Sequence, residues 1–124
     1  MTKLFLNRDP SLPDLFWREI HLQAYCVMEL RRLGYIVHGD ANGASKTIRG
    51  RMQSQIGGAQ KGWPDLTIIA PDGKLFWVEL KLDAAISKEQ KELHAEMQKR
   101  GHNVHVVKAL TPSAALDKIM EIIL

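Results

Sequence analysis

Residues 62–81 read GWPDLTIIAPDGKLFWVELK, and this stretch decides the fold of the chain. Two runs rich in β-branched, aliphatic and aromatic residues flank the turn sequence Pro-Asp-Gly-Lys at 71–74, a pattern that predicts a β-hairpin. Because side chains alternate along a strand, Glu79 and Lys81 project from one face of the second strand, and the apolar side chains between them project from the other. The hairpin therefore carries two charges at the end of an apolar strand, where charged side chains seldom lie without a partner or a function.

A third charged residue, Asp65, begins the first strand of the hairpin. In an antiparallel pair the start of one strand lies beside the end of the other, so we expect Asp65 close to Glu79 and Lys81. Carboxylate oxygens suit Mg²⁺ or Mn²⁺, which activate water and offset charge on a phosphate. A lysine beside such an ion can stabilise the transition state. The three residues together have the chemistry that phosphodiester hydrolysis requires.

On either side of the hairpin, sequence signals for helices and strands alternate along the rest of the chain. N-cap residues, glycine stops and hydrophobic periodicity predict the flanking elements. We expect one α/β domain over residues 1–124, with helices at 14–33, 47–56, 87–100 and 111–123, and strands at 35–38, 65–70, 75–81 and 104–107.

The first predicted helix has two candidate apolar faces. One contains Phe16, Ile20, Val27 and Leu30, whose spacings of 4, 7 and 3 residues predict the helix. The neighbouring stripe runs through Leu15, Glu19, Leu22, Cys26, Leu30 and Leu33. The second stripe contains a carboxylate, Glu19, which is either a boundary residue that reaches solvent or a functional group.

Composition limits the class of protein. The chain has 124 residues, 45% of them hydrophobic, and a formal net charge of +3. No run approaches the roughly 18 apolar residues of a membrane span, and the single cysteine, Cys26, fits a reducing compartment, so we expect a cytoplasmic protein. Residues 41–64 contain no acidic residue, and form either a solvated polar loop or a segment that contacts nucleic-acid phosphates. The cations of this segment are Lys46, Arg49, Arg51 and Lys61.

These residues carry a family resemblance. The sequence PD at 64–65 followed by ELK at 79–81 resembles the PD-(D/E)xK nuclease motif, and the chain resembles the VRR-Nuc family of that superfamily more closely. Further similar elements extend over about three-quarters of the chain: Asn42-Gly43, Gly57-Gly58, the GWPDL stretch at 62–66, Ser87 with Gln90, and Gly101.

The resemblance implies a restriction-endonuclease-like core, in which helices flank a central mixed β-sheet, and metal-dependent cleavage of DNA. It assigns Mg²⁺ or Mn²⁺ binding to Asp65, Glu79 and the backbone carbonyl of Leu80, and catalysis to Lys81. Gln90 and Glu19 match positions that also contribute to the site in many members. Small stand-alone members, often phage-encoded, are similar in size to this chain, and some act as dimers on branched DNA.

Alternatives remain open for several of these residues. Gln90 also completes a capping box with Ser87, and either role explains it. Trp63 and Trp77 could stack on bases, although packing roles are favoured. The five histidines lack the spacing of a zinc site and are taken as incidental. A catalytically inactive DNA-binding module of the same fold is the alternative function. We also expect a homodimer, because the first and last helices are more apolar than one buried face requires.

Overall fold

The computed structural model describes residues 8–13, 17–40 and 47–124. Helices and strands alternate within these ranges, which confirms the predicted α/β class. No helix in the described ranges is long and apolar enough to cross a membrane. The order of elements is α1 (Glu19–Arg32), β1 (Ile36–Gly39), α2 (Ile48–Ile56), β2 (Leu66–Ile69), β3 (Leu75–Lys81), α3 (Lys88–Lys99), β4 (Asn103–Lys108) and α4 (Pro112–Ile123).

The strands of the described residues form one mixed sheet in the order β1-β2-β3-β4. β1 and β2 pair antiparallel, as do β2 and β3, while β3 and β4 pair parallel. The predicted hairpin turn is present, and the Ala70 N–H donates to the Lys74 carbonyl at 2.8 Å across it. A parallel pair needs a crossover connection, and α3 supplies it between β3 and β4. The expected central mixed sheet flanked by helices is therefore confirmed.

The hydrophobic core lies between one face of this sheet and the helices α1 and α4. The alternation predicted for β3 is confirmed, since Phe76, Val78 and Leu80 are buried in this core. On α1 the buried residues are Leu22, Cys26 and Leu30. The core-facing side of α1 is therefore the stripe that also contains Glu19.

The expected start of the first helix was wrong. Of the first apolar stripe, Ile20 is 50% exposed and Phe16 lies outside the described residues. The helix begins at Glu19 because Arg18 has an extended backbone. Trp17 is buried without being helical, and its Nε1 donates to the Leu12 carbonyl at 2.9 Å. Trp17 is thus buried although it precedes the helix, so its burial does not require α1 to extend further toward the N-terminus.

The helix caps follow the sequence signals. The Ser87 hydroxyl accepts from the Gln90 N–H at 3.1 Å, and Gln90 Oε1 accepts from the Ser87 N–H at 2.8 Å. This reciprocal capping box begins α3 as predicted. The Thr47 and Thr111 side chains cap α2 and α4 by accepting from the N–H groups of Gly50 and Ala114. Asn42-Gly43 and Lys46 lie outside the described residues.

The apolar residues of α1 and α4 that motivated the expectation of a dimer are largely used within the chain. Ile119 and Ile123 are buried in the core. Four further apolar residues of the two helices are partly buried against that core: Val27, Leu116, Met120 and Ile122. Much of the apolar surface of these helices is therefore used within the chain, although Ile20 is 50% exposed.

Candidate active site

The strand register brings Asp65 beside Glu79. Leu66 pairs with Val78 in the β2–β3 ladder, so the next pair outward is Asp65 with Glu79. The Asp65 carbonyl accepts from the Asp40 N–H at 2.8 Å, which fixes its backbone against the end of β1. Its side chain turns to β3 instead, and Asp65 Oδ2 accepts from the Leu80 N–H at 2.8 Å. The proximity predicted from the hairpin is confirmed.

The β2–β3 ladder ends at this point because of a proline. Continuing the register one further pair places Pro64 opposite Leu80. Proline has no N–H, so Pro64 cannot donate a ladder hydrogen bond to the Leu80 carbonyl. The Leu80 N–H, which a regular ladder would also pair with the opposite backbone, bonds to the Asp65 carboxylate. A backbone carbonyl is thus left beside two carboxylates at the end of the sheet.

Glu79 is an almost fully buried acid, with 2% of its surface exposed. Gln90 Nε2 donates to Glu79 Oε2 at 2.9 Å, whereas Glu79 Oε1 has no hydrogen-bond donor among the described residues. Burial raises the pKa of Glu79 to about 8, and the negative charge of Asp65 and a shared proton between the two carboxyl groups add to the rise. In the absence of a cation, the pair therefore holds a proton near neutral pH.

The pKa of Asp65 is raised as well. Burial raises the pKa of Asp65, and the hydrogen bond from the Leu80 N–H opposes that rise. Glu19 adds to it by its negative charge, while the positive charge of Lys81 lowers it. Two acids and one further carboxylate thus face a single lysine, which leaves an excess of negative charge for an added cation to neutralise.

Lys81 and Glu19 reach the site from its two sides. Lys81 ends β3 on the same strand face as Glu79 and, within the described residues, makes no salt bridge to either carboxylate. Glu19 is the first residue of α1, and its Oε2 accepts from the Leu82 N–H at 3.2 Å, just after the end of β3. The carboxylate singled out on the helix stripe therefore lies at the strand end that carries the other site residues.

These side chains share one open cavity of about 510 Å³. Asp65, Glu79, Lys81, Gln90 and Glu19 all line it, so every side chain predicted from the sequence is found in one place. The remaining lining residues come from α2 and the segment after it: Arg51, Ser54, Gln55, Ala59, Gln60, Lys61, Gly62 and Trp63. Three carboxylates and three cations thus surround a space open to solvent.

Gly62 explains how the segment before β2 meets α3. Its φ is +86°, and a Cβ atom here would lie 2.9 Å from the Glu89 carbonyl oxygen and 3.0 Å from the Gln90 nitrogen. Only glycine fits both the left-handed backbone and this close approach. Lys61, beside it, lies 3.5 Å from the Glu89 carboxylate. The contact holds the first turn of α3 against the site, within reach of Glu79.

Sequence reasoning missed His94, which was grouped with the incidental histidines. It is 4% exposed on α3, and neither ring nitrogen has a hydrogen-bond partner among the described residues. Burial lowers the pKa of His94, and the nearby Gly62 backbone and the Asp65 charge act in the opposite direction. The signal available in the sequence was its position one helical turn after Gln90, on the same helix face. No group of three or more His, Cys, Asp or Glu side chains in the described ranges is arranged to hold a metal ion.

Comparison with known proteins identifies the fold. No protein-family model and no curated protein matches the chain. Solved structures do match, including the following two. One, a "VRR_NUC domain", is 28% identical with a TM-score of 0.60, covering 86% of this chain and 97% of its own. The other, a "VRR_NUC domain protein", is 20% identical with a TM-score of 0.63, covering 86% of this chain and 88% of its own. The chain therefore shares its restriction-endonuclease-like α/β fold with VRR-Nuc domains.

Proposed function

We propose that the chain is a metal-dependent nuclease that hydrolyses DNA phosphodiester bonds. The observation that carries the proposal is the pair of half-buried Asp65 and buried Glu79, both with raised pKa values and with Lys81 beside them. An acid pair in this state destabilises a fold, and the destabilisation is offset when a cation binds. The structural relatives support the same reaction class.

The residues present fit a divalent ion. Asp65, Glu79 and the Leu80 carbonyl offer three hard oxygen ligands, and Glu79 Oε1 is a buried acceptor without a donor among the described residues. Mg²⁺ and Mn²⁺ accept few protein ligands and complete their shell with water and substrate phosphate, so two carboxylates suffice without a third acidic ligand. Such an ion supplies an activated water and neutralises charge on the phosphate.

The other site residues then have separate tasks. Lys81 has an ammonium group without a salt bridge in the described residues, and we assign to it the stabilisation of charge on the phosphate in the transition state. Gln90 is a positioning residue, since its amide donates to Glu79 Oε2 and holds that carboxyl group at the site. Glu19 contributes negative charge at the strand end, where it is held by the Leu82 N–H.

DNA is the substrate that the surroundings favour. Arg51 and Lys61 line the same cavity as the carboxylates, and Arg49 is exposed on the same helix as Arg51. Cations that share a cavity with a metal site suit the phosphates on either side of a cut bond. We propose that the chain acts as an endonuclease on branched DNA, because a cavity open to solvent admits an internal phosphate as readily as a strand end.

A metal-titration assay tests this function. Plasmid and branched DNA are incubated with the protein in chelator, Mg²⁺ or Mn²⁺, and cleavage is expected only with metal. Asp65→Ala and Glu79→Ala should abolish cleavage, whereas Glu121→Ala, which removes an exposed acid on α4, should not. DNA binding without cleavage in any metal would instead establish the inactive DNA-binding module.

We further propose that two chains pair. The support now comes from α2, where Ile48, Met52 and Ile56 are 71%, 54% and 83% exposed on one helix face. An adjoining face of α2 lines the active-site cavity through Arg51, Ser54 and Gln55. Light scattering after size exclusion should give twice the 14.0 kDa of one chain. Met52→Glu should halve that mass, and a wild-type mass of one chain, with and without DNA, rules the pair out.

A further inference from the structure

A second cavity adjoins the active-site cavity and has different chemistry. Its volume is about 320 Å³, and it is lined by Asp40, Gly58, Ala59, Gln60 and Trp63. Ala59, Gln60 and Trp63 also line the active-site cavity, so the segment 59–63 forms a wall common to both. A substrate bound at the carboxylates would therefore have this second space directly beside it.

The second cavity is built on fixed backbone. The Asp40 N–H donates to the Asp65 carbonyl at 2.8 Å, and Gln23 Nε2 donates to the Asp40 carbonyl at 3.1 Å. On the other side, the Trp63 N–H donates to the Gln60 carbonyl at 3.2 Å. The wall residue Asp40 is thus hydrogen-bonded directly to the backbone of Asp65, which places the second cavity beside the strand end that carries the carboxylates.

Trp63 is held in place as well. Its ring packs edge-to-face on Trp77, with 6.3 Å between ring centroids and 81° between ring planes. Gly62, immediately before it, is pressed against the first turn of α3. A half-buried aromatic ring in a fixed position is the feature that base-stacking sites share, because every base has a π-face to offer it.

The two cavities favour opposite charges. Arg51, Lys61 and Lys81 line the first cavity, and such cations suit phosphates. No lysine or arginine of the described residues lines the second cavity, whereas the acidic residue Asp40 does, and its Oδ1 lies 3.1 Å from His38 Nε2. A carboxylate repels a phosphate but accepts hydrogen bonds from an exocyclic base amine, and the Gln60 amide can both donate and accept. The second cavity therefore suits a base and not the sugar–phosphate backbone.

We propose that this second cavity is a nucleobase subsite, which binds one unpaired base next to the cut phosphate through Trp63, Gln60 and Asp40. The inference rests on the proposed nuclease function and names its substrate class. A base can enter only after it leaves the helical stack, so the subsite selects DNA that is unpaired or distorted at the cut. Continuous duplex would require extrusion of a base before cleavage, whereas the branch point of a fork or junction would not.

A double-perturbation experiment tests the subsite. The cut position is first mapped with wild-type protein on a branched DNA, and the base on either side of the cut is then removed to leave an abasic site. At one of the two positions, base removal should slow wild-type single-turnover cleavage by about 5- to 100-fold, the range expected for loss of one stacked base. Trp63→Ala should slow cleavage of intact DNA by a similar factor and cause no further loss on the abasic DNA.

Controls keep the outcome decisive. Gln60→Ala changes an exposed side chain and serves where Trp63→Ala fails to fold; it should show the same lack of additivity, while Gln53→Ala, exposed on α2 outside both cavities, should not. Equal wild-type rates on intact and abasic DNA at both positions, or fully additive effects, would overturn the subsite and leave the nuclease intact. Failure of wild-type protein to cleave or bind any of the DNAs would instead overturn the nuclease function and the subsite together.

Discussion

Replacing Glu79 by Gln should stabilise the metal-free protein, by an amount that grows with pH. Gln keeps the shape of Glu79 and can still accept the hydrogen bond from Gln90, but it carries no charge. The folded-state pKa of Glu79 is raised from 4.5 to about 8. The folded protein has its full stability at pH values below the pKa that Glu79 has in the unfolded chain. It loses stability as pH rises toward the folded-state pKa, because Glu79 ionises first in the unfolded chain.

The size of the effect follows from that shift. Each pH unit between the two pKa values removes up to about 1.4 kcal/mol of stability from the wild type. From pH 4.5, the unperturbed value, to pH 7, the advantage of Glu79→Gln should therefore grow by about 3 kcal/mol. For a domain of this size the change corresponds to roughly 10 °C in the midpoint of thermal unfolding.

Thermal unfolding in chelator at a series of pH values measures this difference. Comparing wild type with Glu79→Gln at each pH cancels groups common to both, and Glu92→Gln, an exposed acid on α3, controls for the loss of one charge. Added Mg²⁺ should stabilise the wild type and much less the variant, since binding to the folded state alone adds stability. If the unfolding midpoints of wild type and Glu79→Gln change in parallel between pH 5 and 8, the pKa of Glu79 is not raised by burial beside Asp65.

The remaining predictions concern the lysine, the basic helix and the buried histidine. Lys81→Met should lower the single-turnover rate by about 100- to 1,000-fold with little change in DNA affinity, and the reverse pattern would make Lys81 a phosphate-binding residue only. Replacing Arg49 and Arg51 by Ala should flatten the dependence of log K on log salt by about 0.9 for each duplex phosphate that the variant no longer binds, and an unchanged slope would show that α2 faces away from DNA. His94→Leu should raise stability by about 1 kcal/mol at pH 7.5, because two buried nitrogens without partners among the described residues are removed. Since the pKa of His94 is lowered, wild-type stability should fall as pH drops below 6.5, and unfolding at pH 7.5 and 5.5 should show a smaller fall in the variant.

The sequence predicted the hairpin well because its signals are local. The turn at 71–74, the alternation along β3 and the capping box of Ser87 with Gln90 each depend on neighbours in the chain. The hairpin in turn fixes the distance between Asp65 and Glu79, so the centre of the site was predictable from one stretch of residues. The resemblance to the VRR-Nuc family then supplied Leu80, Gln90 and Glu19.

The parts that could not be predicted depend on contacts between distant segments. Trp17 lies before α1, and its ring nitrogen donates to the Leu12 carbonyl. The helix therefore begins later than the hydrophobic pattern of the sequence indicates. His94 became notable only after α3 packed against Gly62. The exposure of Ile48 and Met52 likewise depends on how α2 lies over the cavity. No hydrophobic pattern along one element contains that information.

The end of the β2–β3 ladder at Pro64 explains how the residues of the site come together. Pro64 stops the β2–β3 ladder, so the Leu80 N–H turns to the Asp65 carboxylate and the Leu80 carbonyl has no donor from Pro64. The chain before Pro64 leaves the sheet at the same point, and Gly62 lets it press against α3, which brings Gln90 to Glu79. Ligands from strand, loop and helix thus converge where a regular sheet would have closed its hydrogen bonds. Under the proposed function, a cation bound at this place would neutralise the acid pair and would also accept the Leu80 carbonyl as a ligand, for which Pro64 has no N–H to donate.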